Sequence, residues 1–238
     1  MKTNQVEKRD KSQSLTKPIF VGNPSLLPLT VADDQLQHLD TRIISKQFYN
    51  KFNFSKLYTN EGNVNLALGI TSPNKGEGKT LVATNMAVSL ARAYNQKTVI
   101  VDLNFQNPQL HKIFGGRLQP GLSEAMQNKL LRVTPTLVEN LYLLTAGDIT
   151  KYVPGIKDTI VLREILYTLK REFDFIVVDM SSVFPVEDFP VHFINEMDGL
   201  ISVIDTTHTK RDHLKKMYKH IDERRFVGYI FNRFKDGR

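Results

Sequence analysis

Between Leu66 and Tyr94 a short apolar run passes through a glycine-bearing loop into a long stretch with helical spacing. That succession limits the available folds more than any other feature of the sequence. Leu66-Ala-Leu-Gly-Ile70 has the continuous apolar character of a strand covered on both faces. Thr80 to Tyr94 places Ala83, Ala87, Leu90, Ala91 and Ala93 at helical spacing. The loop between them reads Ser72-Pro-Asn-Lys-Gly-Glu-Gly-Lys-Thr80. Gly76 and Gly78 let the backbone curl so that successive N–H groups point inward at phosphate oxygens. The helix that follows adds a positive end of roughly half a charge. At this spacing Lys79 reaches the β- and γ-phosphates and Thr80 offers its hydroxyl to Mg²⁺. The loop therefore predicts a nucleoside triphosphate site for ATP with Mg²⁺, with ADP after turnover. Its cradle runs through Asn74, Lys75, Gly76, Glu77, Gly78, Lys79, Thr80 and Leu81.

The rest of the chain repeats the alternation. Thr98–Asp102, Leu141–Thr145, Phe175–Asp179, Leu200–Ile204 and Val227–Phe231 read as strands. Ile160–Arg171 and Lys210–Ile221 read as helices. The predicted fold class is α/β, a mostly parallel doubly wound sheet that brings the strands' C-terminal ends to one ligand-binding edge. Residues 1–40 form a separate, partly disordered or extended arm punctuated by Pro18, Pro24 and Pro28, and residues 41–238 form the nucleotide-binding domain. A short helix is expected from Asp40 to about Lys56.

Two strands end in acids, Asp102 and Asp179. A carboxylate at a buried strand end calls for a partner, and two of them at the loop's edge favour Mg²⁺ over simple turn capping. Thr80, Asp102 and Asp179 are the expected metal ligands, and Lys79, Asp102 and Asp179 the expected catalytic groups. A dinucleotide-binding fold is the structural rival, since Asp102 stands where a ribose-binding acid would. Gly76-Glu-Gly-Lys-Thr-Leu81, however, lacks that fold's third glycine, and Lys79-Thr80 has no task on a nicotinamide cofactor.

Composition narrows the setting. There is no cysteine, so disulfides, thiolate metal sites and cysteine nucleophiles are excluded. No apolar run reaches the ~18 residues of a membrane span, and the polar segment Met1–Lys17 is not a secretory signal, so a cytoplasmic location is expected. A net charge of +7 without zinc spacing or an RNA-binding aromatic signature favours an acidic partner or membrane surface over nucleic acid, which is not expected.

Over residues 40–234 the sequence resembles the bacterial tyrosine kinases of capsule and exopolysaccharide synthesis, P-loop proteins related to the partition and division-site ATPases. Ser72–Ala91 is similar to that family's first nucleotide motif, and Val99-Ile-Val-Asp-Leu-Asn-Phe-Gln-Asn-Pro-Gln-Leu-His111 to its second. Gly121-Leu-Ser-Glu-Ala125, Asn140–Gly147 and Phe173–Asp179 match further segments, and Gly228-Tyr-Ile-Phe-Asn232 resembles the last strand. The resemblance implies that Asn232 contacts adenine. It implies tyrosine-protein kinase activity and activation by the cytoplasmic segment of a membrane polysaccharide co-polymerase, with recruitment to the inner face of the membrane. It also implies a homo-oligomer.

The departures limit what is carried over. Asn104 and Gln106 replace the second motif's acid and arginine, and Met180-Ser-Ser182 replaces Thr-Pro-Pro after Asp179. Lys46-Gln-Phe-Tyr49 lacks the charged members of the family's oligomer helix. The last tyrosine, Tyr229, falls inside a predicted strand, so autophosphorylation of a tyrosine tail is not expected. Lys75 does not stand where the partition ATPases carry their extra lysine. A dimeric switch ATPase and a catalytically inactive scaffold are therefore carried as alternatives to a kinase or slow ATPase.

Overall fold

A computed structural model of the chain describes residues 26–44, 65–150, 152, 155–186 and 191–234. Its centre is an eight-stranded sheet. In chain order the strands are β1 (Leu29–Val31), β2 (Leu66–Thr71), β3 (Thr98–Leu103), β4 (Leu131–Pro135), β5 (Leu141–Leu144), β6 (Phe175–Met180), β7 (Gly199–Asp205) and β8 (Phe226–Asn232). Their spatial order is β1-β4-β5-β3-β6-β2-β7-β8. All neighbours run parallel except β4 and β5, which are antiparallel. Every residue of β3, β6 and β7 is buried, as continuous apolar runs in a sheet covered on both faces require.

Two apolar layers flank the sheet. On one face α1 (Lys79–Ala93) buries Val82, Ala83, Met86, Leu90 and Ala91 over Leu68, Ile100 and Val177, joined by the short α2 (Leu110–Ile113). On the other, α4 (Thr159–Glu172) lays Leu162, Ile165, Leu166 and Leu169 against Val99, Val101 and Ile176. That second layer also holds α3 (Leu122–Asn128), α5 (Val191–Ile194) and Met217 of α6 (Arg211–Met217). Each fully buried Leu or Ile contributes about 1.5–3 kcal/mol, so the two layers dominate stability. The expected mostly parallel, doubly wound sheet is what forms.

The segment Gly121–Ala125 docks on the end of β5. Leu122 N and Ser123 N donate to Thr145 O at 2.8 Å and Ala146 O at 2.9 Å. The Glu124 carboxylate accepts from Gly121 N at 2.7 Å and Asp148 N at 2.9 Å. The first N–H groups of α3 are thus satisfied by backbone and side-chain oxygens.

Two expectations are corrected, and a third lies mostly outside the described residues. Residues 29–31 are not merely an extended arm: they form β1, in parallel register with β4 (Thr30 opposite Arg132). Residues 26–44 then continue as a strap, with Leu36 N donating to Pro135 O at 3.1 Å and Asp40 N to Ile113 O at 2.7 Å. The helix expected from Asp40 begins with a turn at residues 41–43, and its remainder, including Lys46–Tyr49, lies outside the described residues. The helix expected over Lys210–Ile221 stops at Met217, where His220 N and Ile221 N both return to the Met217 carbonyl and close a tight turn.

Candidate functional site

The ends of β2, β3 and β6 meet in a cleft of about 460 Å³. Its walls are Lys75, Gly76, Gly78, Lys79, Thr80 and Leu81 on one side, with Asn104, Gln106 and Asn107 after β3 and Ser181 and Ser182 after β6. The loop Ser72–Gly78 leaves β2 and turns directly into α1, whose N-cap, Gly78, offers no side chain and whose first turn carries no acid. The first N–H groups of a buried helix therefore face the cleft with no side-chain cap or acid to compete for them, which is the local requirement for anion binding. Gly78 has φ 98°, and a Cβ there would stand 2.3 Å from Asn232 Nδ2, so both backbone shape and close approach demand glycine.

The loop is braced from behind. Val183 N and Phe184 N donate to Ser72 O and Pro73 O, each at 2.9 Å. The Glu77 carboxylate is buried and turned away from the cleft, accepting from Asn74 Nδ2 at 2.7 Å and from Thr209 Oγ1 at 2.6 Å. Asn232 Nδ2 donates to Glu77 O at 2.9 Å, and Asn232 Oδ1 accepts from Arg233 N at 2.9 Å. Arg233, at φ 55°, donates to Gly76 O at 3.2 Å and pairs with Asp205. The Thr207 hydroxyl with the Arg233 and His208 side chains holds the Asp205 carboxyl well below the usual carboxylate range. Of the residues expected to touch the nucleotide, Lys75, Gly76, Gly78, Lys79, Thr80 and Leu81 line the cleft. The side chains of Asn74, Glu77 and Asn232 make hydrogen bonds that hold the loop in shape.

Asp102 and Asp179 lie directly across from each other on β3 and β6, both fully buried two positions before the cleft-lining Asn104 and Ser181 and not themselves in the cleft wall. They differ in what surrounds them. Asp102 accepts three backbone N–H groups, from Asn104, Gln109 and Leu110, each at 3.1 Å, and so ties the β3 loop to the start of α2. Among the described residues neither oxygen of Asp179 completes a hydrogen bond. Burial pushes both carboxyls above the usual range; Asp179 raises Asp102 further, against the lowering effect of the three N–H groups. At Asp179 the Thr80 hydroxyl, close by without completing a hydrogen bond, and the Lys79 ammonium oppose the rise. Burial lowers Lys79, with Asp179 and Glu77 pulling it back up. Two unsatisfied, buried carboxylate oxygens beside a hydroxyl and an open phosphate loop fit a hydrated divalent cation. Among the described residues no three His, Cys, Asp or Glu side chains gather as an all-protein metal cage would need.

Sequence reasoning missed several parts. Asn107, Ser181 and Ser182 line the cleft, and Thr209 and Arg233 brace the loop from 132 and 157 positions away. The positive φ of Arg233 is invisible in composition; only its place just after Asn232 could have drawn attention to it.

A strand, a glycine-bearing phosphate loop, a helix and two strand-end acids at one sheet edge define a P-loop nucleotide-binding protein. The chain belongs to the CobQ/CobB/MinD/ParA nucleotide binding domain family, whose model matches residues 68–238, and within it to the bacterial tyrosine kinase branch. It is 27% identical over 172 residues to the tyrosine-protein kinase CpsD of Streptococcus pneumoniae, covering 70% of this chain and 75% of that one. It is 30% identical over 167 residues to the putative tyrosine-protein kinase CapB of Staphylococcus aureus, covering 67% and 71%. Among solved structures the VpsO kinase domain superposes with a TM-score of 0.65 at 26% identity, covering 76% of this chain and 90% of that one.

Proposed function

We propose that the cleft binds ATP with Mg²⁺ and that the chain acts as a tyrosine-kinase-like component of exopolysaccharide or capsule synthesis, working with a membrane polysaccharide co-polymerase. The observation that carries the reading is the unpartnered Asp179 carboxylate beside Lys79 and Thr80 at an open phosphate loop. The backbone from Gly76 to Thr80 binds the β- and γ-phosphates and fixes their orientation. Lys79 neutralises charge as the terminal phosphoryl group moves, Thr80 and Asp179 hold the cation, and Ser181 and Ser182 close one wall. The cation, when bound, spreads the negative charge that builds on the phosphoryl oxygens. Asp102 is the acid nearest the role of base for an incoming tyrosine hydroxyl. Among the described residues no helix is long and apolar enough to cross a membrane.

One observation favours a second reading, a binding scaffold or a dimeric switch ATPase. Asn104 puts an uncharged amide where the cleft would gain from an acid, and Asp102 is already committed to three N–H groups. Labelled ATP offered to the purified chain with its co-polymerase segment separates the readings. Phosphotyrosine formation lost in both Lys79→Ala and Asp102→Ala supports a kinase. Hydrolysis that depends on dimerisation and labels no protein supports the switch, and binding without turnover supports the scaffold.

A further inference from the structure

A second recess, of about 390 Å³, lies away from the phosphate loop, where the strap crosses the β4–β5 end of the sheet. It opens between strap residues 32–37 and the loop at 115–120. The strap is seated directly on glycine backbone there: Gly115 has φ 66°, and a Cβ at that position would stand 2.2 Å from His38 Cβ. The Gln35 side chain donates to the Thr136 carbonyl, and with the bonds from Leu36 N and Asp40 N it fixes the strap on both sides of the opening. The recess is therefore walled by hydrogen-bonded backbone.

Its lining is polar. Arg117 and Arg132 enter it from different elements, and among the described residues neither guanidinium has a hydrogen-bond or ion-pair partner. Around them stand Gln35, Gln119 and Thr134, with Asp34 as the single acid among the described residues. Among the described residues no aromatic side chain lines the recess, so a nucleobase finds nothing there to stack on, and the few apolar groups present offer little to a lipid. We propose that this recess binds a small, hydroxyl-rich anion, a sugar carrying a phosphate or carboxylate group. The two guanidinium forks take the anion. The Gln119 amide, the Gln35 amide oxygen, the Thr134 hydroxyl and the Asp34 carboxylate take the sugar hydroxyls, and the volume falls in the usual range for small-molecule sites. The site shares no lining residue with the phosphate loop and does not depend on nucleotide binding there.

The test is calorimetric titration of the full chain with glucose 1-phosphate, glucuronate and inorganic phosphate, beside a non-hydrolysable ATP analogue. Saturable binding of glucose 1-phosphate assigns a phosphosugar and of glucuronate an acidic sugar. Either is expected to weaken about tenfold or more in Arg117→Ala and in Arg132→Ala, while the ATP analogue binds as before. Gln119→Glu, which places a like charge in the lining on an exposed loop, is expected to weaken the sugar to a similar degree with the fold untouched. Failure of both sugars to bind, binding indifferent to both arginines, or inorganic phosphate binding as tightly as either sugar would each overturn the proposal. Loss of sugar binding in Lys79→Ala would do so as well, by placing the ligand in the phosphate loop.

Discussion

At the scale of the residue, Asp179 and Asp102 make the clearest electrostatic commitments. Burial raises both carboxyls in the folded chain above the roughly 3.9 they hold when unfolded. The folded state therefore binds protons more tightly than the unfolded one, and the stability this contributes is complete below about pH 4 and lost as pH rises through the folded values. Without nucleotide or cation, the melting temperature should carry a component that falls from pH 5 to pH 8. Asp179→Asn should flatten that component, and a slope unchanged by the substitution would show that Asp179 is not the group responsible. Mg²⁺ with ATP should reverse the trend, because a cation favours the ionised carboxylates. Lys79, Thr80 and the two acids were legible in the sequence because each sits in a short local pattern at a strand or helix end. The bracing role of the Glu77 side chain was not legible. Its partner Thr209 arrives from β7's far end, and no local pattern could have announced that.

At the scale of the element, the central strands could be read because unbroken apolar runs have no other use in a soluble α/β sheet. β4 could not: Leu131-Arg-Val-Thr-Pro135 alternates, ends in proline and is half covered, so its burial depends on strap and β5 together. The four-residue α2 escaped notice for a related reason. Its first N–H groups are satisfied by the Asp102 carboxylate, a cap drawn from a neighbouring strand's end. The loop-to-helix junction is where geometry is tightest. Gly78→Ala meets both a left-handed backbone and the Asn232 side chain, and should destabilise the chain by about 1–3 kcal/mol. Denaturant unfolding measures this directly. An alanine variant as stable as the parent would show that the junction relaxes freely.

At the scale of the whole molecule, the strap and the phosphate loop occupy different parts of one sheet. The strap closes the β4 edge through β1, buries Leu27 and Ala32, and reaches α1 where Asn85 Nδ2 donates to Ile43 O at 2.8 Å. Removing residues 1–44 should lower the melting temperature by roughly 5 °C or more and promote association through the uncovered β4 edge. An unchanged melting temperature would mean the strap adds nothing to the fold. The central claim, that the loop from Ser72 to Thr80 holds a triphosphate with its cation, is tested most directly by calorimetric titration of an ATP analogue with and without Mg²⁺. The account predicts Mg²⁺-dependent binding, weakened on the order of 10- to 100-fold by Lys79→Ala and losing its Mg²⁺ dependence in Asp179→Asn. Equal affinity in parent and Lys79→Ala, or no binding to the parent at all, would contradict it.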